Sequence, residues 1–174
     1  METMVKPPRT GMEAFKLMPE GTLCQLINDV LIMSPAPTPR HQHFAKQVFK
    51  AIERLVEMKD LGEVFFSPID VYLNENNVFQ PDIVFISKEK LHIIDWNKGI
   101  MGAPQLVVEI LSKGNKNIDV NKKIYEQSGV NEYWLIDPQT KWCEGFVLEN
   151  KIYKSLGEGS GQLTFQMFQL PVIF

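Results

Sequence analysis

Apolar residues recur along this chain at two spacings, about four residues and two, and the alternation between them outlines an α/β protein. The longest four-residue pattern covers about 39–58, where Phe44, Val48, Ile52 and Leu55 share one face of a predicted helix. A second helix is expected over 119–128, ended by Gly129, and a short one over 13–17. Strand patterns occupy 23–27 and 30–34 around an Asn28-Asp29 turn, then 63–66, 69–73 and 83–87. The run Asn74-Glu75-Asn76-Asn77 supplies turn residues between the last two. Later strands are expected at 105–111, 132–136, 142–148 and 152–154. The apolar tail 163–174 reads as an edge strand or a docking segment. The strand–helix–strand order over 105–136 predicts a crossover between parallel neighbours. Residues 1–11, rich in Pro and Gly, read as a flexible arm before a single domain over 12–174.

Composition narrows the class without naming a function. A net charge of −3 argues against non-specific coating of nucleic acid, yet leaves room for a local basic groove. His43, Lys46, Lys50 and Arg54 lie off the apolar face of the long helix. They suit either phosphate contact or ordinary solvation. No apolar run approaches the roughly 20 residues of a membrane-spanning helix. The polar N-terminus is unlike a secretory signal, so a cytoplasmic location is expected, with Cys24 and Cys143 reduced.

One residue breaks the apolar pattern. Glu109 interrupts Leu106-Val107-Val108-Glu109-Ile110-Leu111, a run suited to burial on both faces. An ionised carboxylate there costs several kcal/mol unless it is paired or binds metal, so Glu109 must reach the sheet surface, meet a cation (a lysine at a strand end or a metal ion) or hold a proton. Asp82 opens a second apolar run, Asp82-Ile83-Val84-Phe85-Ile86, behind Pro81. Alone it suits an Asx turn. If the two strands are neighbours, both acids can share one hard cation such as Mg²⁺ or Mn²⁺.

Several stretches together carry a family resemblance: Leu31-Ile32-Met33-Ser34-Pro35-Ala36-Pro37 leading to His41, Ser67-Pro68-Ile69-Asp70-Val71, Gln80-Pro81-Asp82-Ile83-Val84, Val107-Val108-Glu109-Ile110, and Gly129-Val130-Asn131-Glu132-Tyr133-Trp134-Leu135-Ile136-Asp137-Pro138. Over about 22–140 the chain resembles the Uma-type family of the PD-(D/E)XK, restriction-endonuclease-like superfamily. The resemblance implies a central mixed β-sheet flanked by helices, with Asp82 and Glu109 as catalytic, metal-binding acids. It also implies a catalytic lysine, and here the sequence departs from the pattern. The superfamily position two residues after Glu109 is Leu111, and the position that close relatives use on the following helix is Asn121. Lys122 and Lys123 are the neighbouring candidates, about 100° and 200° from Asn121 around a helix. Lys122 is preferred. Where relatives often carry an acid in the first hairpin, this chain has Gln25. His41, at the start of the long helix, is a candidate for phosphate contact or for a local backbone bond.

Two functions of different class follow. One is a Mg²⁺- or Mn²⁺-dependent endonuclease hydrolysing DNA, in which paired copies would cut both strands and the tail 165–174 is a candidate contact surface. The other is a nuclease-fold module that has lost its chemistry and binds nucleic acid or protein, motivated by Gln25, Leu111 and Asn121.

Overall fold

The computed structural model of the chain describes residues 7–112 and 118–173. In chain order the elements are α1 (Gly11–Phe15), β1 (Cys24–Ile27), β2 (Val30–Met33), α2 (Pro39–Lys59), β3 (Gly62–Phe66), β4 (Val71–Asn74), β5 (Asn77–Phe79) and β6 (Ile83–Ser87). A 3-10 turn over Lys88–Ile93 leads into β7 (Ile94–Asp95), β8 (Gly99–Ile100), β9 (Leu106–Ile110), α3 (Ile118–Ser128), β10 (Glu132–Ile136), β11 (Trp142–Glu149), β12 (Ile152–Ser160), β13 (Gln162–Phe165) and β14 (Leu170–Ile173). Residues 1–6 of the expected N-terminal arm lie outside the described residues.

The strands form two mixed six-stranded sheets, ordered β2-β1-β5-β4-β8-β7 and β12-β11-β10-β9-β6-β3, with β13-β14 as a separate hairpin. The second sheet is central, and its alternation explains the layers. Ile83, Phe85, Val108, Ile110, Trp134 and Ile136 face Phe44, Val48, Ile52 and Val56 of α2. Their neighbours Val84, Ile86, Val107, Tyr133 and Leu135 face Ile124 and Tyr125 of α3 and Val71, Phe79 and Ile100 of the other sheet. Parallel pairing of β9 with β10 across α3 matches the expected crossover. Thr38 caps α2 by accepting from the His41 N–H, and Pro39 follows at the first turn, where a missing donor costs nothing.

Three features depart from the sequence expectations. A short strand, β5, occupies 77–79, and its three residues are all buried. The expected strand at 152–154 runs on to Ser160. The tail is a hairpin that packs inward: Phe165 and Phe168 are buried in the α2-side core, with Phe165 edge-on to Trp134 at 5.7 Å. Those two rings are therefore unavailable as a contact surface between copies. Trp134 needs space of its own, and Gly145 provides it: a Cβ there would lie 2.4 Å from the indole.

A second acid, Glu132, is buried in this core. It accepts from Trp134 Nε1 at 2.8 Å and from the backbone N–H groups of Gln166 and Met167 at 3.0 and 3.2 Å, so it fixes the hairpin to β10. Burial raises its pKa despite these donors. The folded state thus holds the Glu132 proton more tightly than the unfolded chain. The associated stabilisation is complete below the ordinary carboxylate range and fades as pH rises through the raised folded-state value. Glu132→Gln is expected to flatten this loss in urea denaturation between pH 4 and 8. Glu132→Ala leaves three donors unpaired and is expected to cost about 2 kcal/mol or more.

Candidate metal centre

Antiparallel pairing of β6 with β9 places Ile83 opposite Val108. Continued by one residue, that register sets Asp82 beside Glu109. Three contacts hold Asp82 there. Its carbonyl accepts from Ser67 N–H at 3.0 Å, which extends the β3–β6 ladder past its last paired strand residues. Its Oδ2 accepts from Ile110 N–H at 2.7 Å, and His41 Nε2 lies 3.4 Å from the same oxygen. That imidazole nitrogen is also 3.1 Å from the Ile110 carbonyl oxygen, while Nδ1 is buried without a partner. The Asp82 carboxylate raises the His41 pKa, chiefly through this hydrogen bond.

Glu109 belongs to the face of β9 that meets α3, and its Oε1 accepts from the Tyr125 hydroxyl at 2.7 Å. Removal from water and the Asp82 charge beside it push the Glu109 pKa up to about 8. The Tyr125 hydroxyl and the Asp82 backbone oppose that rise, and a charged His41 adds a smaller opposing effect. Two acids side by side thus lack positive charge.

The acids open into a cleft of about 720 Å³, whose walls include Gln25, Pro37, Arg40, His41, Gln80 and Ser112. Gln25 has a structural place in it: its Oε1 accepts from Gln80 N–H at 3.1 Å, two residues before Asp82. Gln80 in turn donates through Nε2 to Asp70 and to the Thr22 carbonyl. Neither Tyr125 nor Gln80 was assigned a role by sequence pattern. The signals available were the place of Gln80 in a stretch that carries the family resemblance and the helical spacing of Tyr125 from Asn121.

Neither lysine candidate touches the acids in this structure. Lys122 Nζ sits 3.3 Å from the centroid of the Phe146 ring on β11, two strands from Glu109, where Glu144 also feels its charge. The Lys123 side chain is exposed. Asn121 lies one helical turn before Tyr125, with a buried amide oxygen that has no hydrogen-bond partner.

The donor set fits a hard divalent cation. Among the described residues no group of three or more His, Cys, Asp or Glu side chains could hold a metal ion. An ion here would therefore rest on Asp82 and Glu109, with carbonyl and water oxygens completing its shell. That chemistry suits Mg²⁺ or Mn²⁺ and not the nitrogen- and sulfur-rich shells of zinc. The under-neutralised pair is the feature such an ion would relieve.

Fold and site together define a restriction-endonuclease-like α/β architecture. A crystal structure described as a "putative nuclease belonging to DUF820" from Anabaena variabilis ATCC 29413 superposes with a TM-score of 0.73 at 20% identity, covering 93% of this chain and 92% of that one. The chain belongs to the Uma2 family, described as "Putative restriction endonuclease", whose model matches residues 12–172. No curated protein matches the sequence.

The Glu109 environment gives two opposite expectations. Asp82→Asn removes the neighbouring charge and is expected to lower the Glu109 pKa from about 8, whereas Tyr125→Phe removes a donor and raises it further. Carboxyl-carbon NMR titration of Glu109 in both variants checks the pair of shifts.

Proposed function

We propose that this chain is a Mg²⁺- or Mn²⁺-dependent endonuclease that hydrolyses phosphodiester bonds in DNA. The observation carrying the proposal is the Asp82–Glu109 pair, set together by strand pairing with the Glu109 carboxyl pushed up to about 8. Family membership and the nuclease-like fold support it.

In this reading Asp82 and Glu109 hold the ion. A bound divalent cation supplies charge neutralisation at the phosphodiester and makes water a better nucleophile. The chain's own groups fix the geometry. The Ile110 N–H orients one Asp82 oxygen, and the Tyr125 hydroxyl orients Glu109 and disfavours its proton. His41, at the cleft wall, steadies the Ile110 carbonyl and is the candidate for contact with a substrate phosphate. The lysine role falls to Lys122, whose ammonium must leave the Phe146 ring to serve it, or to Lys123.

A second reading has its own observation. The two positions where the superfamily and its closer relatives place a lysine are Leu111 and Asn121, and Lys122 is engaged elsewhere. These features favour a catalytically degenerate module that binds nucleic acid or protein.

Plasmid nicking with Mg²⁺ or Mn²⁺ separates the two. The nuclease reading expects activity that falls by about three orders of magnitude, some 4 kcal/mol, in Asp82→Asn and in Glu109→Gln, with a smaller fall in Lys122→Ala. Equal cutting by the double variant Asp82→Asn, Glu109→Gln contradicts it. Absence of metal binding by calorimetry at millimolar Mg²⁺ favours the degenerate module.

A further inference from the structure

We infer that the solvent face of α2 is a docking surface for the sugar–phosphate backbone of a DNA duplex, leading from the acid cleft along the outside of the molecule. The inference deepens the nuclease reading and rests on it for the identity of the polyanion.

The charges on α2 are segregated along its length. From Pro39 to Ile52 the helix carries Arg40, Lys46 and Lys50 and no Asp or Glu; its acids, Glu53 and Glu57, come only in the last two turns. This occurs in a chain whose net charge is −3. Around the helix, the buried Phe44, Val48, Ile52 and Val56 point toward the central sheet. At about 100° per residue, His43, Lys46, Lys50 and Arg54 lie within about 40° of the direction opposite that core; Glu57 shares that face at its far end and Glu53 flanks it. All four basic residues are exposed, as is Arg40. None of the five makes an ion pair among the described residues. The field of the row is therefore strongest over Arg40 to Lys50, nearest the cleft, and is partly offset by the two acids around Arg54.

Continuity with the site selects the anion. Arg40 lines the cleft that holds Asp82 and Glu109, so the row begins at the site of proposed chemistry. From Arg40 to Arg54 it extends about 21 Å at ~1.5 Å per residue. That matches about six nucleotides of one DNA strand at ~3.4 Å each. An anionic membrane surface fits less well, because a membrane-binding helix presents an apolar face beside its basic one. Here the apolar face of α2 is already buried against the sheet.

The test measures anisotropy of a labelled 20-base-pair duplex bound by the full chain in EDTA, across a salt series. Each lost phosphate contact reduces the slope of log affinity against log salt by about 0.9. The triple variant Lys46→Gln, Lys50→Gln, Arg54→Gln is therefore expected to reduce the slope by about 2.7 and the affinity at least ~10-fold. A control triple with the same charge change, Lys16→Gln, Lys151→Gln, Lys154→Gln, is expected to keep the wild-type slope. An unchanged slope in the α2 triple overturns the inference, as does an equal change in both triples or the absence of salt-dependent duplex binding by the wild type. It also falls if the α2 triple abolishes binding to phosphatidylserine vesicles while duplex affinity stays unchanged. Calorimetry with Mn²⁺ on the same proteins reads the acids alone. Metal binding with no α2 effect defeats this inference only; an α2 effect without metal binding supports it and defeats the nuclease reading.

Discussion

Antiparallel pairing of β6 with β9 brings the carboxylates of Asp82 and Glu109 together at the end of the central sheet. The chemistry proposed for the molecule depends on that adjacency. Burial of Glu109 and, after it, the Asp82 charge beside it push the Glu109 pKa up to about 8. Asp82 accepts from the Ile110 amide with His41 beside the same oxygen, and Glu109 accepts from the Tyr125 hydroxyl and the Asp82 backbone. The Asp82 carboxylate in turn raises the His41 pKa, and an imidazolium there would offset one of the two acids. Such a pair suits the cation proposed for this site.

Glu132 shows what a carboxylate in the same sheet looks like when its role is to hold structure. It is also an acid in an apolar strand, and burial also raises its pKa. Yet three N–H donors surround it, no second acid stands beside it, and its bonds tie the β13–β14 hairpin to the core. Donor count and the neighbouring charge separate the two cases. Glu132 is occupied by its partners, whereas Glu109 opens on a cleft.

That contrast marks how far the sequence could be read. Short apolar runs bounded by turn residues placed β6 and β10 with their observed bounds, and the Phe44–Val48–Ile52 spacing located α2 to within a residue. Glu109 was legible because a charge within an apolar strand is costly by itself. Asp82 became meaningful only if its strand lay next to β9, a long-range pairing that no local pattern dictates. Gln25 and Tyr125 were harder still, since their bonds to Gln80 and Glu109 join elements distant in the chain. The tail read as an edge strand or a docking segment because its apolar residues are mixed with polar ones. Only packing of Phe165 against Trp134 and of Phe168 against Phe85 reveals the two rings as core. Lys122 was chosen by helical angle, and angle alone could not foresee that the Phe146 ring would hold its ammonium.

The two faces of α2 join these themes. One buries the apolar stripe that fixes the helix on the sheet and brings His41 to the Ile110 carbonyl; the other turns basic side chains outward from the cleft. The central claim remains the shared ion at its inner end. Anomalous diffraction from crystals soaked in Mn²⁺ tests it directly. The account predicts one strong peak within coordination distance of both an Asp82 and a Glu109 carboxylate oxygen. Manganese bound elsewhere, with these two acids uncoordinated, would contradict it.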